Sequence, residues 1–134
     1  MALAITKDSI DLGIITTDAE KSLAFYRDTL GLAEDGAMDM PGGGKMVRLS
    51  CGTTTLKIVV NAKEPKATSP VGGIGGATGF RYFTISVSNL KEATDECAAA
   101  GYKIAVPARE IRAGVMISII EDPDGNWVEL LQMG

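Results

Sequence analysis

The chain has 134 residues, 46% apolar and 22% charged, which suits one small domain. A formal net charge of −4 and a pI near 4.8 argue against nucleic-acid binding, which draws on a basic field to displace phosphate counterions. Histidine is absent, so Ser-His-Asp and Cys-His triads, HExxH zinc sites and two-His-one-carboxylate iron sites are excluded from the protomer.

Ile10 to Thr16 is a short β-branched run and predicts a strand. Asp18 follows as an N-cap, with Leu23, Tyr26 and Leu30 on one helical face and Gly31 as the stop. The glycine-rich turn Pro41 to Gly44 leads into a strand at Met46 to Ser50. Cys51-Gly52-Thr53 reverses the chain into a strand at Leu56 to Val60. The segments Ala33 to Lys45 and Ala105 to Ala113 read as loops. From Ala62 to Gly79 the composition turns to Pro, Lys, Ser and Gly, and this stretch reads as a connection between halves.

The second half repeats the plan. Arg81 to Val87 predicts a strand. Asn89 and Glu92 resemble a capping box, opening a helix with Leu90, Ala93, Cys97 and Ala100 on one face and Gly101 at its end. Val115 to Ile120 and Trp127 to Leu131 predict strands joined by the turn Asp122 to Asn126. The cap-to-stop interval from Asp18 to Gly31 differs from that between Asn89 and Gly101 by a single residue, which points to an internal duplication. The organisation expected is one domain with module 1 over about 8–61, a connection over about 62–79 and module 2 over about 80–134.

Cys51 and Cys97 are far apart and lack CxxC spacing, which suggests free thiols, a reducing compartment and a cytoplasmic location. The first residues carry no basic segment followed by a long apolar run, so no signal peptide is expected. No stretch approaches the roughly 18 apolar residues of a membrane span. No nucleic acid or membrane is therefore expected as a partner.

Asp18-Ala-Glu-Lys-Ser-Leu-Ala-Phe-Tyr-Arg-Asp-Thr-Leu-Gly-Leu32 resembles the first helix of the vicinal-oxygen-chelate (glyoxalase/bleomycin-resistance/extradiol dioxygenase-like) superfamily. Glu121-Asp-Pro-Asp-Gly-Asn-Trp-Val-Glu-Leu130 resembles its closing hairpin. The resemblance implies an α+β fold of two tandem βαβββ modules forming a cup-shaped curled sheet, a small-molecule ligand or substrate in the cup, and a homodimer. It leaves function open, because one scaffold carries several chemistries.

Metal-binding members take one ligand from each of four strands. Carried onto this chain, those positions are Asp11 and Tyr82, each seven residues before a helix cap, and Lys57 and Glu129 on the last strand of each module. Lys57 brings a cation to a place where a divalent ion would sit. At about 4 Å and an effective dielectric near 20, each pair of like unit charges repels by roughly 4 kcal/mol. The expectation is therefore that the Lys57 ammonium replaces the metal between Asp11 and Glu129 and that no cofactor is needed. If a divalent metal is bound, Asp11 and Glu129 are its ligands.

Lys57, Tyr82 and Glu129 are the candidate catalytic residues, as proton donors and base. Asp11, Arg48, Met116 and Trp127 are candidate ligand-binding residues, Arg48 for an anionic group and Met116 and Trp127 as an apolar wall. Arg112 is a further candidate for the anion, and Phe80 and Phe83 for the wall; Arg48 and Arg112 also read as solvated surface residues, and Trp127 and the phenylalanines as core or dimer-interface residues. The glycine runs at Gly42 to Gly44 and Gly72 to Gly76 lack phosphate-loop spacing and read as turns. Three functions remain open: a metal-independent lyase or isomerase, a non-catalytic sequestering or resistance protein, and a metal-dependent glyoxalase-like lyase or dioxygenase relative.

Overall fold

In the computed structural model, which describes residues 2–134, the β-branched run after Ile10 forms strand β1 (Leu12–Ile15). Asp18 caps helix α1 (Ala19–Leu23), its side chain accepting the Lys21 N–H. The helix then widens into a π-helical stretch, Ala24–Thr29, marked by Leu30 N–H donating to Phe25 O and by the Thr29 hydroxyl donating to Ala24 O. This widening turns two neighbours, Phe25 and Tyr26, inward together, edge to face with centroids 4.8 Å apart. The expected face of Leu23, Tyr26 and Leu30 is thereby corrected: Phe25 is fully buried and Leu30 only half-buried.

Strands β2 (Ala33–Asp39), β3 (Lys45–Cys51) and β4 (Thr54–Val60) follow. The first sheet runs β1-β4-β3-β2, with β1 parallel to β4 and the rest antiparallel. Alternation along β4 sends Leu56 and Ile58 toward the helix, where they meet Leu49 and Ile14 in one core. Full burial of a side chain of this kind contributes about 1.5–3 kcal/mol.

The second unit repeats the order: β5 (Tyr82–Ser86), α2 (Leu90–Ala99), β6 (Ile104–Arg112), β7 (Val115–Glu121) and β8 (Trp127–Met133), with sheet order β5-β8-β7-β6. Its core gathers Leu90, Cys97, Ile120, Val128 and Leu130. Thr94 on α2 donates its hydroxyl to Leu90 O at 2.6 Å and lies 2.8 Å from the Ser118 hydroxyl of β7, a buried polar pin between helix and sheet. The expected helix face is corrected at Ala100, which is exposed, and Thr94 takes a buried place instead.

The segments read as loops at Ala33 to Lys45 and Ala105 to Ala113 are instead largely β2 and β6. Both are edge strands with register shifts. β2 is exposed throughout, so it carries no alternation, and Gly36 (φ +112°) sits at its bulge. β6 contains Pro107, which an edge position tolerates because one N–H row has no ladder partner.

Asn89 precedes α2, yet its side chain makes no cap bond. The Leu90 N–H donates to Gln132 Oε1 at 2.8 Å, so a residue from the last strand takes the place of the expected capping box. The helix stops stand as expected, with Gly31 and Gly101 at positive φ. The chain divides into two compact units, the second beginning at Ala67. Part of the expected connection therefore belongs to the second unit.

Candidate functional site

Register places the two modules' chemistry on equivalent strands. In the first unit Gly13 of β1 is the partner of Lys57 on β4, and Lys57 is in turn the partner of Arg48 on β3. In the second unit Thr84 of β5 is the partner of Glu129 on β8. Alternation puts Lys57, Arg48 and Gly13 on the sheet face opposite α1, and Glu129, Thr84, Tyr82 and Trp127 on the face opposite α2.

Asp11 stands just ahead of β1. Its Oδ1 accepts from Lys7 Nζ at 2.6 Å and from the Thr55 N–H at 2.9 Å. The Lys7 hydrogen bond first, then the Thr55 N–H and, more weakly, the charges of Lys7 and Lys57 hold its carboxyl below the ordinary carboxylate value. The ion-pair partner of Asp11 is thus Lys7 rather than Lys57. Together with the Thr53 hydroxyl donating to Asp8, these contacts tie the segment before β1 to the β3–β4 hairpin.

Lys57 is half-buried and has no hydrogen-bond or salt-bridge partner among the described residues. Arg48 is exposed and leans the other way, its Nη2 donating to Asp35 O at 3.0 Å over the β2 bulge.

In the second unit the Thr84 hydroxyl donates to Glu129 Oε1 at 2.7 Å. This fixes the carboxylate's rotamer and leaves Oε2 for another donor. Tyr82, about half exposed, pairs with Trp127 two residues along the same face. Met116 does not join this group. It pairs with Gln132 on the α2 side of the sheet, so alternation takes it to the face away from Glu129. Arg112 and Phe80 are exposed, and Phe83 alternates away from Tyr82 and Thr84.

Trp127 is covered by its own chain. Buried Gly73, in the 3-10 turn Gly73–Gly75, lies so close to the indole that a Cβ there would fall 2.0 Å from a ring carbon. Arg81 holds this loop down, with Nε donating to Gly73 O at 2.7 Å and Nη2 to Pro70 O at 2.7 Å. Sequence reading missed Arg81. The signal available was an arginine next to a glycine-rich stretch whose carbonyls need donors.

An open cleft of about 730 Å³ lies elsewhere in the first unit, beyond the far end of β1 from Asp11. Thr17 to Glu20, Asp39, Gly43 to Lys45 and Val60 line it. Of its charged groups, Asp18 is engaged in the helix cap and Asp39 with Lys45 at 3.1 Å.

Residues 9–130 match the Glyoxalase/Bleomycin resistance protein/Dioxygenase superfamily. The chain belongs to that superfamily. A probable lactoylglutathione lyase of Synechocystis is 27% identical over 117 residues, covering 86% of this chain and 87% of the relative. A glyoxalase family protein of Bacillus cereus superposes with a TM-score of 0.81 at 13% identity, over 98% of this chain and 99% of that one. The trypanothione-dependent glyoxalase I of Leishmania major superposes at 0.68 with 23% identity, over 95% and 87%. At these identities the superpositions speak for the fold.

The metal of metal-dependent relatives does not fit this donor set. The first unit offers an aspartate already engaged by Lys7 and Thr55, plus an ammonium; the second offers a phenol and one glutamate. Among the described residues no three His, Cys, Asp or Glu are grouped to hold an ion. Both cysteines are free, and burial pushes the thiols of Cys51 and Cys97 upward, away from the thiolate form a nucleophile or metal ligand requires.

Proposed function

We propose that the protein binds a small organic molecule without a metal ion and acts on it as a lyase or isomerase, with Lys57 and Tyr82 as proton donors and Glu129 as base. The observation that carries this reading is Lys57. It has no hydrogen-bond or salt-bridge partner among the described residues, and the family resemblance carries onto it a position from which metal-binding members take a ligand. A cation there stabilises negative charge developing on a substrate oxygen, the service a divalent ion gives in relatives. Thr84 holds Glu129 by one oxygen, which suits a base that works through the other. The lyase assignment draws support from the distant relative named as a probable lactoylglutathione lyase.

Elemental analysis of the purified protein tests metal independence. One equivalent of a divalent ion per protomer, lost in Glu129→Ala, refutes it and restores the metal-dependent reading through Asp11 and Glu129. Turnover is followed first with lactoylglutathione, the compound in the relative's name. Lys57→Met and Tyr82→Phe are each expected to lower kcat by about 10²–10⁴ while the substrate still binds. Ligand affinity retained in both variants, with no turnover by the wild type, favours a sequestering protein instead, and wild-type turnover in the variants refutes the residue assignment.

The same reading includes a cytoplasmic homodimer. β1 and β5 are edge strands carrying the exposed Ile15 and Tyr82, apolar surface that a second copy would cover. Light scattering giving a monomer mass refutes the dimer. No helix among the described residues is long and apolar enough to cross a membrane.

A further inference from the structure

A glycine in the middle of a strand needs a reason, because it loses the most backbone entropy on folding and packs nothing. Of the 16 glycines, most stand at positive φ, where a side chain would strain the backbone. Gly76 has ordinary φ but is hemmed in by Val71 O and Arg81. Gly75, in a 3-10 turn, and Gly13 meet neither condition, and of these two Gly13 alone lies in a strand. Its φ is ordinary, a Cβ there would touch nothing within 4 Å, and it lies inside β1. The duplicated strand carries Thr84 at the equivalent register position, so this backbone accepts a side chain. Gly13 therefore keeps open a space that the fold leaves unfilled.

What borders that space is basic. Gly13, Lys57 and Arg48 form one row across β1, β4 and β3, with side chains on the same face. Cβ atoms of directly opposed residues lie about 4.5–5.5 Å apart, and like charges so placed destabilise a sheet. Arg48 leans away and gives one of its five N–H donors to Asp35 O, while Lys57 has no hydrogen-bond or salt-bridge partner among the described residues and reaches Asp11 only weakly, through its charge. The nearby carboxylate that could neutralise Lys57, Asp11, is hydrogen-bonded to Lys7.

We propose that the row Gly13–Lys57–Arg48 is an anion seat, which takes the carboxylate or phosphate group of a small organic substrate over Gly13, against the Lys57 ammonium, with the Arg48 guanidinium contributing from the next strand. This rests on the reading of the chain as a small-molecule enzyme and narrows its substrate class to organic anions. Cross-strand repulsion is relieved when the anion arrives, so binding and sheet stability rise together.

The test uses the full-length protein, with inorganic phosphate and malonate as probes, titrated against the backbone amide NMR signals of Thr55 to Ile58. The wild type is expected to give saturable shifts in this segment and a rise in melting temperature. Lys57→Met and Gly13→Thr are each expected to weaken binding about tenfold, the size of one charge-assisted hydrogen bond lost, and Arg48→Ala about threefold. Gly13→Thr keeps a residue the sibling strand tolerates, so far-UV circular dichroism should remain that of the wild type. Gly13→Ala serves as a second, smaller block. Wild-type affinity in Gly13→Thr, or no saturable response to either probe in the wild type, overturns the seat. Absence of any turnover in the wild type would sink the catalytic reading and leave the seat standing, because the seat is read by binding alone.

Discussion

Gly73→Ala is the substitution whose cost the structure states most directly. Gly73 is buried at φ +53°, and a Cβ would sit 2.0, 2.1 and 2.4 Å from Cδ2, Cε2 and Cε3 of Trp127. Carbon atoms pack at about 3.5–4.0 Å, so ring and loop must part by about 1.5 Å. The left-handed backbone costs alanine about 1–2 kcal/mol, and overpacking typically adds about 1–3. Lifting the loop offers no cheap escape, since Arg81 holds the carbonyls of Gly73 and Pro70, both at 2.7 Å. A loss of about 2–5 kcal/mol follows. With a urea m-value near 2 kcal/mol per molar, the midpoint falls by about 1–2.5 M. The assay is built in, because Trp127 is the sole tryptophan and lies directly under the loop. Its emission should shift to the red before any denaturant is added, as the cover separates from the ring. Gly75→Ala is the control in the same turn, since Gly75 has ordinary φ and no atom within 4 Å of a Cβ. An unchanged midpoint and emission maximum in Gly73→Ala would refute the packing argument.

Asp11 should show in acid. Its carboxyl titrates below the ordinary value of 3.8 in the folded chain, so its contribution is present above about pH 4 and is lost as pH falls through the lower folded value. Asp11→Asn should therefore flatten the stability profile only below about pH 4, measured by urea midpoints at stepped pH, and the effect should shrink in high salt because the pair is exposed. Asp122→Ala removes the acceptor of the Asp124 and Asn126 N–H groups, at 2.9 and 2.8 Å, and of the Asn126 side chain. It should cost about 2–4 kcal/mol by denaturant titration, since these donors are left at a buried turn. Ser22→Ala should leave stability unchanged or raise it by about 1 kcal/mol in the same assay, because the fully buried Ser22 hydroxyl has no partner among the described residues.

Local chemistry that a short window encodes was legible in the sequence. The cap at Asp18, the stops at Gly31 and Gly101, the hairpin reversal at Gly52 and the Asp122 to Asn126 turn each depend on neighbours in the chain. The duplication set Lys57 and Glu129 at equivalent places on their strands, while their register partners, Gly13 and Thr84, were not singled out in the sequence. The features that escaped are those decided across the fold. β2 and β6 pair at sheet edges, where exposure and bulges erase the period-two signal. Gln132 reaches α2 from 42 residues away and displaces a local cap that the sequence favoured. Phe25 turned inward because the helix widened by a residue, which no periodicity of 3.6 anticipates. Trp127 read either as a ligand wall or as a core residue, and its cover by Gly73 comes from a turn 54 residues earlier that no local pattern announces. Among candidate site residues, Met116 followed composition, and strand parity placed it on the helix side.

The two modules differ most where their registers agree best. Opposite the first strand, one carries an ammonium and the other a carboxylate. The carboxylate has a donor in its own unit, the Thr84 hydroxyl at 2.7 Å, whereas the ammonium has no hydrogen-bond or salt-bridge partner among the described residues and its strand partner is a glycine. An internally satisfied group gains little from a ligand but is held at one geometry, which is what a base requires. A charged group without a partner gains most when a ligand supplies one, which is what anchoring requires. On the proposed reading, duplication followed by these substitutions would divide the labour: the first module supplies the cation that meets the anion and the second supplies the base. Transplanting the pair tests that division. Gly13→Thr combined with Lys57→Glu should give the first module a carboxylate held by a threonine and abolish phosphate and malonate binding, read from the Thr55 to Ile58 amide signals. Phosphate or malonate binding that survives this exchange would refute the division.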